Sequence, residues 1–286
     1  MSLTITKVNN CKVKAPVINN KRKKFNGDDL FDIQYFVMGV FGKRKSGKTT
    51  LVYTIINKFL NKNTILLFFV PTFKKDPTYQ AIAKELDERN VPYEAFDELS
   101  GDGDNIIEEF MKVNGGFHDP QEEKKERDPT SARVEIEDPC RFFCSDGKKS
   151  SATKKKKEKK PEYIIIFDDM SNMLRTPAVK LLAKNSRHYR AKIIFSSQAP
   201  VDVAPDIFAQ MEYVALYKHF NNHVIEFIYN RLQLHMPLEP FTELYKAVTD
   251  GKTKEGFNNF ILLNIPDEKY FVNLDKEIDI SCLTLD

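Results

Sequence analysis

Long apolar stretches are missing from this sequence. None of the runs in its 286 residues reaches the roughly 18 consecutive apolar positions that make a candidate membrane-spanning helix. The N-terminus is polar and basic and lacks the apolar core of a secretory signal peptide. Apolar residues still make up 41% of the chain, enough for a sizeable core. We therefore expect a soluble, intracellular, globular protein with no membrane segment, which is not secreted.

Cysteine is also scarce. The four cysteines, Cys11, Cys140, Cys144 and Cys282, are too few and too scattered for a disulfide framework in a chain of this length. Cys140 and Cys144 form an isolated pair with only His118 near it in sequence, whereas a structural zinc site normally needs four ligands. The sequence therefore predicts neither a disulfide-stabilised fold nor a zinc site.

Positive charge is concentrated in two segments. Residues 1–27 contain seven lysines and arginines and no acid, for a net charge of +7, and residues 145–160 have a net charge of +6. Because the whole chain has a formal charge of only +3, the remaining residues sum to −10. Such basic segments would release counterions from a polyphosphate partner, with a strong dependence on salt. Each could equally be a solvated tract that keeps the protein soluble.

The sequence does contain a complete phosphate-binding motif. Residues 42–49 read GKRKSGKT and fit G-x-x-x-x-G-K-[ST] at every defined position, between an apolar run and a segment of helical periodicity. In such a loop the backbone amides and the positive end of the following helix face one anion. Gly42 and Gly47 would permit the turn. Lys48 would reach the terminal phosphates, and the Thr49 hydroxyl would complete a Mg²⁺ shell shared with phosphate oxygens.

The predicted nucleotide-binding set covers the loop and the start of its helix: Gly42, Lys43, Arg44, Lys45, Ser46, Gly47, Lys48, Thr49 and Thr50. The three consecutive cations in this set could neutralise phosphate charge within their own chain. They could also point to solvent or toward DNA, and both interpretations stay open.

Around the motif, buried strands alternate with helices. Strands are predicted near residues 31–41, 64–70, 93–96, 163–169, 191–196, 213–217, 259–264 and 269–273. Helices are predicted near residues 51–60, 79–86, 105–113, 177–185, 222–232 and 240–248, with a short one around Ile207. This alternation predicts an α/β fold with a doubly wound sheet, whose ligand site lies beyond the carboxyl ends of the strands.

Two segments depart from this alternation. Residues 1–27 read as a basic N-terminal tail, which leaves residues 28–286 as the predicted ATP-binding domain. Residues 114–160 are charged, rich in lysine and interrupted by proline and glycine. We interpret them as a flexible insertion on the surface of the domain, before the strand at residues 163–169.

A second motif ends that strand. Asp168 would hold Mg²⁺ through its water shell, and Asp169 would orient or deprotonate the water that attacks the terminal phosphoryl group. Two adjacent carboxylates at a dry sheet edge would be costly without a cation. Gln198 follows the next predicted strand. If this strand lies between the strands of the phosphate loop and of Asp168, the Gln198 amide would face the terminal phosphate and could position it.

Together these motifs resemble those of a known family. The segments GKRKSGKTT, IIIFDDM, NSRHYR and IIFSSQ are similar to those of genome-packaging ATPases of the FtsK-HerA superfamily, in the poxvirus-type branch of large eukaryotic DNA viruses, virophages and related elements. The resemblance implies a P-loop NTPase of the additional-strand type, with a mostly parallel central sheet sandwiched by helices and the Gln198 strand at its centre. It implies ATP and Mg²⁺ as ligands, with residues 42–49 as Walker A and Asp168 in Walker B.

The same resemblance implies partners and a place of action. It implies a homo-oligomeric ring, a pentamer or hexamer, that translocates double-stranded DNA into a preformed capsid and contacts capsid or portal vertex proteins. The ring would act in the host cytoplasm at virion assembly sites or be retained in the virion. Arg187, with Arg190 as the second choice, would act as an arginine finger toward a neighbouring subunit. The charged insertion before the Walker B strand departs from the family pattern.

Two other functions are compatible with the motifs. A nucleotide kinase or another small-molecule phosphotransferase would need an acceptor pocket and an arginine-rich lid, and DNA would not stimulate its ATP turnover. A nucleotide-switched DNA-binding or scaffold protein would bind ATP with little hydrolysis, which the predicted role of Asp169 argues against. The ATPase rate with and without long double-stranded DNA separates these alternatives.

Overall fold

The computed structural model of the chain describes residues 24–99, 105–115, 160–171, 173–253, 256 and 258–280. Most of the predicted basic tail, most of the predicted insertion and the Cys140 and Cys144 pair lie outside these residues, so what the sequence predicts for them stays a prediction.

The described residues form nine strands and seven α-helices. The strands are β1 (Val37–Phe41), β2 (Thr64–Phe69), β3 (Tyr93–Phe96), β4 (Glu162–Asp168), β5 (Ala191–Ser197), β6 (Tyr213–Tyr217), β7 (Phe260–Asn264), β8 (Lys269–Val272) and β9 (Lys276–Ile278). The helices are α1 (Lys48–Phe59), α2 (Pro77–Glu88), α3 (Ile106–Gly115), α4 (Pro177–Lys184), α5 (Pro205–Phe208), α6 (Asn222–Leu232) and α7 (Leu238–Thr249). None of these helices is long and apolar enough to cross a membrane.

All nine strands belong to one sheet, in the order β3-β2-β4-β5-β1-β6-β7-β8-β9. Neighbouring strands are parallel from β3 to β6, and β7, β8 and β9 extend the sheet with antiparallel pairing. The strand β5 pairs with β1 on one side and with β4 on the other. The predicted central position of the strand before Gln198 is therefore confirmed.

The sheet separates two apolar cores, because successive side chains of a strand point to opposite faces. Met38 and Val40 of β1 belong to the core that α1 and α2 cover. Val37 and Phe41 of the same strand belong to the core on the other face, which α3 to α7 cover. Helices thus lie on both faces of a mostly parallel sheet, as predicted.

The first strand is shorter than the apolar run that precedes the phosphate loop. The strand β1 begins at Val37, and the preceding segment is irregular although Phe31 and Phe36 are buried. Phe31 stacks on Tyr213 with ring centroids 3.9 Å apart and also packs on Phe59 of α1. The continuous apolar run therefore reflects burial of aromatic rings between β6 and α1 and does not mark a longer strand.

Two features at the ends of the domain differ from the predictions. The edge strand β9 was not predicted, because it has only three residues and two of them are charged. At the other end, Phe25 packs on the core next to α1, and the Asn26 side chain donates a hydrogen bond to the Leu60 carbonyl. Phe25 and Asn26, which the sequence places in the basic tail, therefore contact the folded body.

Candidate nucleotide-binding site

The phosphate loop joins β1 to α1 in a conformation that its glycines permit. Gly47 caps the N-terminus of α1 with a φ of 110°, a backbone angle that side chains rarely allow. At Gly42, an added Cβ would lie 2.6 Å from Ser46 Oγ and 2.8 Å from the Cβ of Tyr217, so a larger residue would not fit. The backbone conformation at Gly47 and the close packing at Gly42 therefore both favour glycine.

Lys48 is the first residue of α1, and it folds back onto the loop. The residue is only 7% exposed, and its Nζ donates hydrogen bonds to the carbonyl oxygens of Gly42, at 2.9 Å, and Lys43, at 3.5 Å. These contacts hold the ammonium group at the N-terminal end of the helix, where the helix dipole also favours an anion. The loop therefore presents a fixed positive charge.

Two residues distant in sequence support the loop. The Tyr217 hydroxyl, at the end of β6, donates a hydrogen bond to the Gly47 carbonyl at 3.1 Å, and Asn258 Nδ2 donates one to the Ser46 carbonyl at 3.3 Å. Burial raises the pKa of Tyr217, so its hydroxyl keeps its proton and remains a donor. Sequence reasoning missed both residues, since Tyr217 reads as a strand residue and Asn258 belongs to no motif.

Asp168 ends β4, and its two carboxylate oxygens differ in their hydrogen bonds. Its Oδ2 accepts a hydrogen bond of 2.7 Å from the Tyr79 hydroxyl of α2, whereas the buried Oδ1 has no hydrogen-bond partner among the described residues. Burial raises the pKa of Asp168 and the charge of Asp169 adds to this shift, while the Tyr79 hydroxyl and the Lys48 ammonium oppose it. Burial and the charge of Asp168 raise the pKa of Tyr79, which therefore stays a donor. The sequence marks Tyr79 only as part of an apolar helix face, so its contact with Asp168 was missed.

Asp169 and Gln198 form a hydrogen-bonded pair next to Asp168. Gln198 Nε2 donates a hydrogen bond of 2.9 Å to Asp169 Oδ2, and the Asp169 backbone amide donates one of 3.0 Å to the Ser196 carbonyl. This proximity follows from the sheet, because β4 and β5 are adjacent parallel strands that end together. Asp169 has a φ of 52° and is exposed. Its carboxylate is therefore accessible and held by the Gln198 amide.

These groups share one cleft of about 1000 Å³, called the loop cleft below. Residues 44–50 of the phosphate loop line it together with the segment at residues 72–78, and Asp168, Asp169 and Gln198 contribute their side chains. Gly42 and Lys43, which were predicted to bind nucleotide, do not line the cleft but accept hydrogen bonds from Lys48 through their carbonyls. The structure thus brings together most of the predicted site.

The two candidate arginine fingers lie at the amino-terminal end of the central strand β5, away from the loop cleft. Arg187 pairs with Glu212 at 3.1 Å and is 69% exposed at its side chain, whereas Arg190 pairs with Glu162 at 3.3 Å. Both arginines precede β5, and the loop cleft lies beyond its carboxyl end. Neither arginine lines the loop cleft of its own chain, so a role toward a neighbouring subunit stays a prediction.

The residues of the loop cleft fit a Mg²⁺ ion that binds together with phosphate. Asp168 Oδ1 is a buried carboxylate oxygen without a hydrogen-bond partner in the described chain, and Thr49 lines the same cleft. Within the described ranges, no three His, Cys, Asp or Glu side chains gather into a metal-binding cluster. Mg²⁺ is usually held by one or two carboxylates, phosphate oxygens and water, and not by a cage of protein ligands. Asp168 and Thr49 would therefore be the residues that hold the ion.

The chain has the fold of a P-loop NTPase of the additional-strand type, together with a complete phosphate loop. One strand, β5, separates the phosphate-loop strand β1 from the Walker B strand β4. The ends of these three strands supply the phosphate loop, the paired carboxylates and the polar Gln198 side chain to a single cleft.

The chain matches no protein-family model and no curated protein. Among solved structures, it is similar to B204, the DNA-packaging ATPase from Sulfolobus Turreted Icosahedral Virus, with 12% identity and a TM-score of 0.49 over 86% of this chain and 100% of that chain. It is also similar to the pCW3 conjugation coupling protein TcpA, with 11% identity and a TM-score of 0.45 over 88% of this chain and 63% of that chain. A match to Thermomonospora curvata EccC has 10% identity and a TM-score of 0.42 over 86% of this chain and 37% of that chain. The poxvirus-type branch stays a prediction from the motifs.

Proposed function

We propose that this chain is a Mg²⁺-dependent ATPase whose hydrolysis of ATP drives double-stranded viral DNA into a preformed capsid. The proposal that the chain hydrolyses ATP is supported by the side chains that line the loop cleft. Lys48, Asp168 and the hydrogen-bonded pair of Asp169 and Gln198 all line one space at the ends of adjacent strands. Binding alone would need only the phosphate loop, whereas an exposed carboxylate held by an amide suits the activation of water.

Each side chain has a distinct part in the proposed reaction. The loop amides and Lys48 bind and orient the terminal phosphates of ATP. When bound, Mg²⁺ neutralises negative charge on the phosphate oxygens. Asp169 orients the attacking water and accepts its proton at a carboxylate oxygen, while Gln198 keeps this carboxylate aligned. The bond from the water oxygen to the terminal phosphorus forms as the bond to the leaving oxygen of ADP breaks.

The proposal that DNA is the partner is supported by the motifs and by the distribution of charge. Residues 1–27 and 145–160 carry net charges of +7 and +6, whereas the rest of the chain sums to −10. A negatively charged body would repel DNA at a distance, so the two basic segments would supply the contacts with phosphate. Three of the four motifs that resemble packaging ATPases supply residues to the loop cleft.

A ring is the assembly that would complete this site. In a head-to-tail ring, one edge of a subunit faces the nucleotide of its neighbour, and such a contact closes at a fixed number of subunits, here a pentamer or hexamer. Arg187 is exposed at the end of the strands opposite the loop cleft and would then supply a cation to the neighbouring phosphates. We also propose that the ring contacts capsid or portal vertex proteins and acts in the host cytoplasm at virion assembly sites.

The kinase alternative has less support. Arg44 is the single arginine among the described residues that line the loop cleft. The arginine-rich lid that a nucleotide kinase needs to hold two sets of phosphates is therefore not part of this lining.

Replacing Tyr79 with phenylalanine should raise the Mg²⁺ concentration needed for half-maximal ATP binding by about 10- to 100-fold, the usual range for a residue that orients a metal ligand. The variant removes only the hydroxyl that fixes Asp168 Oδ2 and leaves the buried ring in place. Calorimetric titration with a non-hydrolysable ATP analogue at a series of Mg²⁺ concentrations measures the effect. Tyr53→Phe is the matched control, because the Tyr53 hydroxyl donates to Glu85 on α2, away from the cleft. An unchanged Mg²⁺ dependence in Tyr79→Phe would rule out this role of Tyr79.

The experiment that tests the proposed function is the ATPase rate with and without long linear double-stranded DNA. We expect DNA to stimulate the rate severalfold at low salt, and we expect the stimulation to fall as salt rises because the DNA contacts release counterions. Replacing residues 154–157, four lysines, with serine should weaken DNA binding and flatten its salt dependence, while basal hydrolysis survives. A rate that DNA leaves unchanged would favour a phosphotransferase, and negligible hydrolysis under both conditions would favour a nucleotide-switched protein.

A further inference from the structure

A second cleft opens on the other flank of the phosphate loop. It has a volume of about 580 Å³ and is called the side cleft below. The first turns of α1, the end of β6, the start of β7 and the segment between β8 and β9 line it. The residues predicted to bind phosphate, hold the metal ion and activate water line the loop cleft. None of these roles explains the side cleft.

The two clefts meet at the phosphate loop. Ser46, Gly47, Thr50 and Asn258 line both of them. Hydrogen bonds hold the backbone at this boundary, because the Asn258 side chain donates to the Ser46 carbonyl and the Tyr217 hydroxyl donates to the Gly47 carbonyl. A molecule held by the loop amides can therefore extend past Thr50 into the side cleft.

The two clefts differ in chemistry. The described lining of the loop cleft has four cations, Arg44, Lys45, Lys48 and Lys75, and three acids, Asp76, Asp168 and Asp169, but no aromatic residue. The side cleft is lined by aromatic and aliphatic side chains together with uncharged amides, and its charged residues are Lys252, Asp275 and Lys276. The first set suits phosphates and a metal ion. The second suits a flat heterocycle with apolar faces and polar edges.

The side cleft is also ordered in advance by its own hydrogen bonds. Asn273 Oδ1 accepts a hydrogen bond of 3.1 Å from the Phe260 amide, and its Nδ2 donates one of 3.0 Å to Asn259 Oδ1. The rings of Tyr217 and Phe260 pack with their centroids 5.0 Å apart. Amides and rings that are already fixed lose little conformational freedom when a ligand binds.

We propose that the side cleft binds the base and ribose of the nucleotide whose phosphates lie in the loop cleft. This proposal rests on the proposed ATPase function. The terminal phosphate must lie near Asp168 and Gln198, so the nucleoside leaves the loop on the opposite flank, past Thr50. The competing position for the base is the wall of the loop cleft formed by Thr72, Lys75, Asp76, Pro77 and Thr78, none of which is aromatic.

Thr54→Trp tests the proposal by blocking the side cleft. Thr54 is an exposed residue of α1 that lines the side cleft and not the loop cleft. Calorimetry should show an affinity for ATP reduced at least about tenfold, a loss of roughly 1.4 kcal/mol of binding free energy, with an unchanged affinity for inorganic tripolyphosphate, which has no nucleoside. Lys58→Trp, one turn further along the same helix and outside both linings, is the matched control and should bind both ligands normally.

Photolabelling of the unmodified chain with 8-azido-ATP gives an answer that does not depend on the folding of a variant. The proposal predicts that the label, protected by excess ATP, maps to peptides carrying residues 50–54, 217, 258–260 or 273–276. Labelling confined to residues 72–78, or equal ATP affinity in Thr54→Trp and Lys58→Trp, would overturn the proposal while leaving the ATPase function intact. If ATP protected no label and tripolyphosphate also failed to bind, the proposed function itself would fail.

Discussion

Replacing Lys48 with alanine is expected to lower ATP turnover by about 1,000-fold or more and to weaken ATP binding. Arg44, Lys45 and Lys75 also line the loop cleft, but they are exposed to solvent, which screens their charges. Lys48 is buried, and two loop carbonyls fix its ammonium group at the N-terminus of α1. A fixed and buried charge stabilises the phosphoryl oxygens of the transition state far more than an exposed charge does.

The matched control is Lys58→Ala, because Lys58 is an exposed lysine of the same helix and lies outside the loop cleft. Steady-state hydrolysis and calorimetric ATP binding are measured for both variants, together with thermal unfolding, since Lys48 also hydrogen-bonds to the loop. Native turnover in a folded Lys48→Ala protein would mean that residues 42–49 are not the site of hydrolysis.

Asp169→Asn should bind Mg²⁺ and ATP normally and hydrolyse ATP about 100- to 10,000-fold more slowly, the range expected when a general base is lost. The metal ligand Asp168 is unchanged in this variant, so ground-state binding should survive. The substitution also suits the backbone, because Asp169 has a φ of 52° and asparagine tolerates this conformation better than most residues. An asparagine oxygen can still accept the hydrogen bond from Gln198, so the loss is limited to the basic carboxylate.

Asp168→Asn is the informative partner of that variant. It should lose Mg²⁺-dependent binding, because the buried oxygen that would face the ion loses its charge. Single-turnover hydrolysis and Mg²⁺ titrations separate the two effects. If Asp169→Asn turned over at the native rate, or if both variants lost only Mg²⁺ binding, Asp169 would not be the base.

Most of the fold could be predicted from the sequence, because the buried strands are continuous apolar runs with polar residues at their ends. The segment before Asp168 is such a run, and β4 spans Glu162–Asp168, one residue earlier than the predicted residues 163–169. The apolar run before the phosphate loop misled at its start, because Phe31 lies in an irregular segment and is buried by packing on Tyr213 and Phe59. A pattern of apolar residues indicates which side chains are buried, but it does not show whether they belong to a strand. An aromatic side chain can also reach the core from an irregular segment.

The site could be predicted from the sequence where a short motif always folds in the same way. Lys48 and Asp168 occupy the positions that their motifs require, and the strand order brings Gln198 next to Asp169. The supporting residues were not predictable, because their contacts depend on the packing of remote elements. Tyr79 reaches Asp168 across 89 positions of sequence, and Asn258 reaches the phosphate loop across 212. Only the folded chain shows that Tyr79 hydrogen-bonds to Asp168 and that Asn258 hydrogen-bonds to the phosphate loop.

The most direct measurement of the central claim is displacement of a third strand from a linear DNA duplex by the full chain. A protein that couples hydrolysis in the loop cleft to movement along DNA should displace the third strand in the presence of Mg²⁺ and ATP. It should fail with a non-hydrolysable analogue, and Asp169→Asn should fail although it still binds ATP and DNA. Steady ATP hydrolysis on the same DNA without any displacement would contradict the account, because the energy of hydrolysis would then not be coupled to movement of DNA.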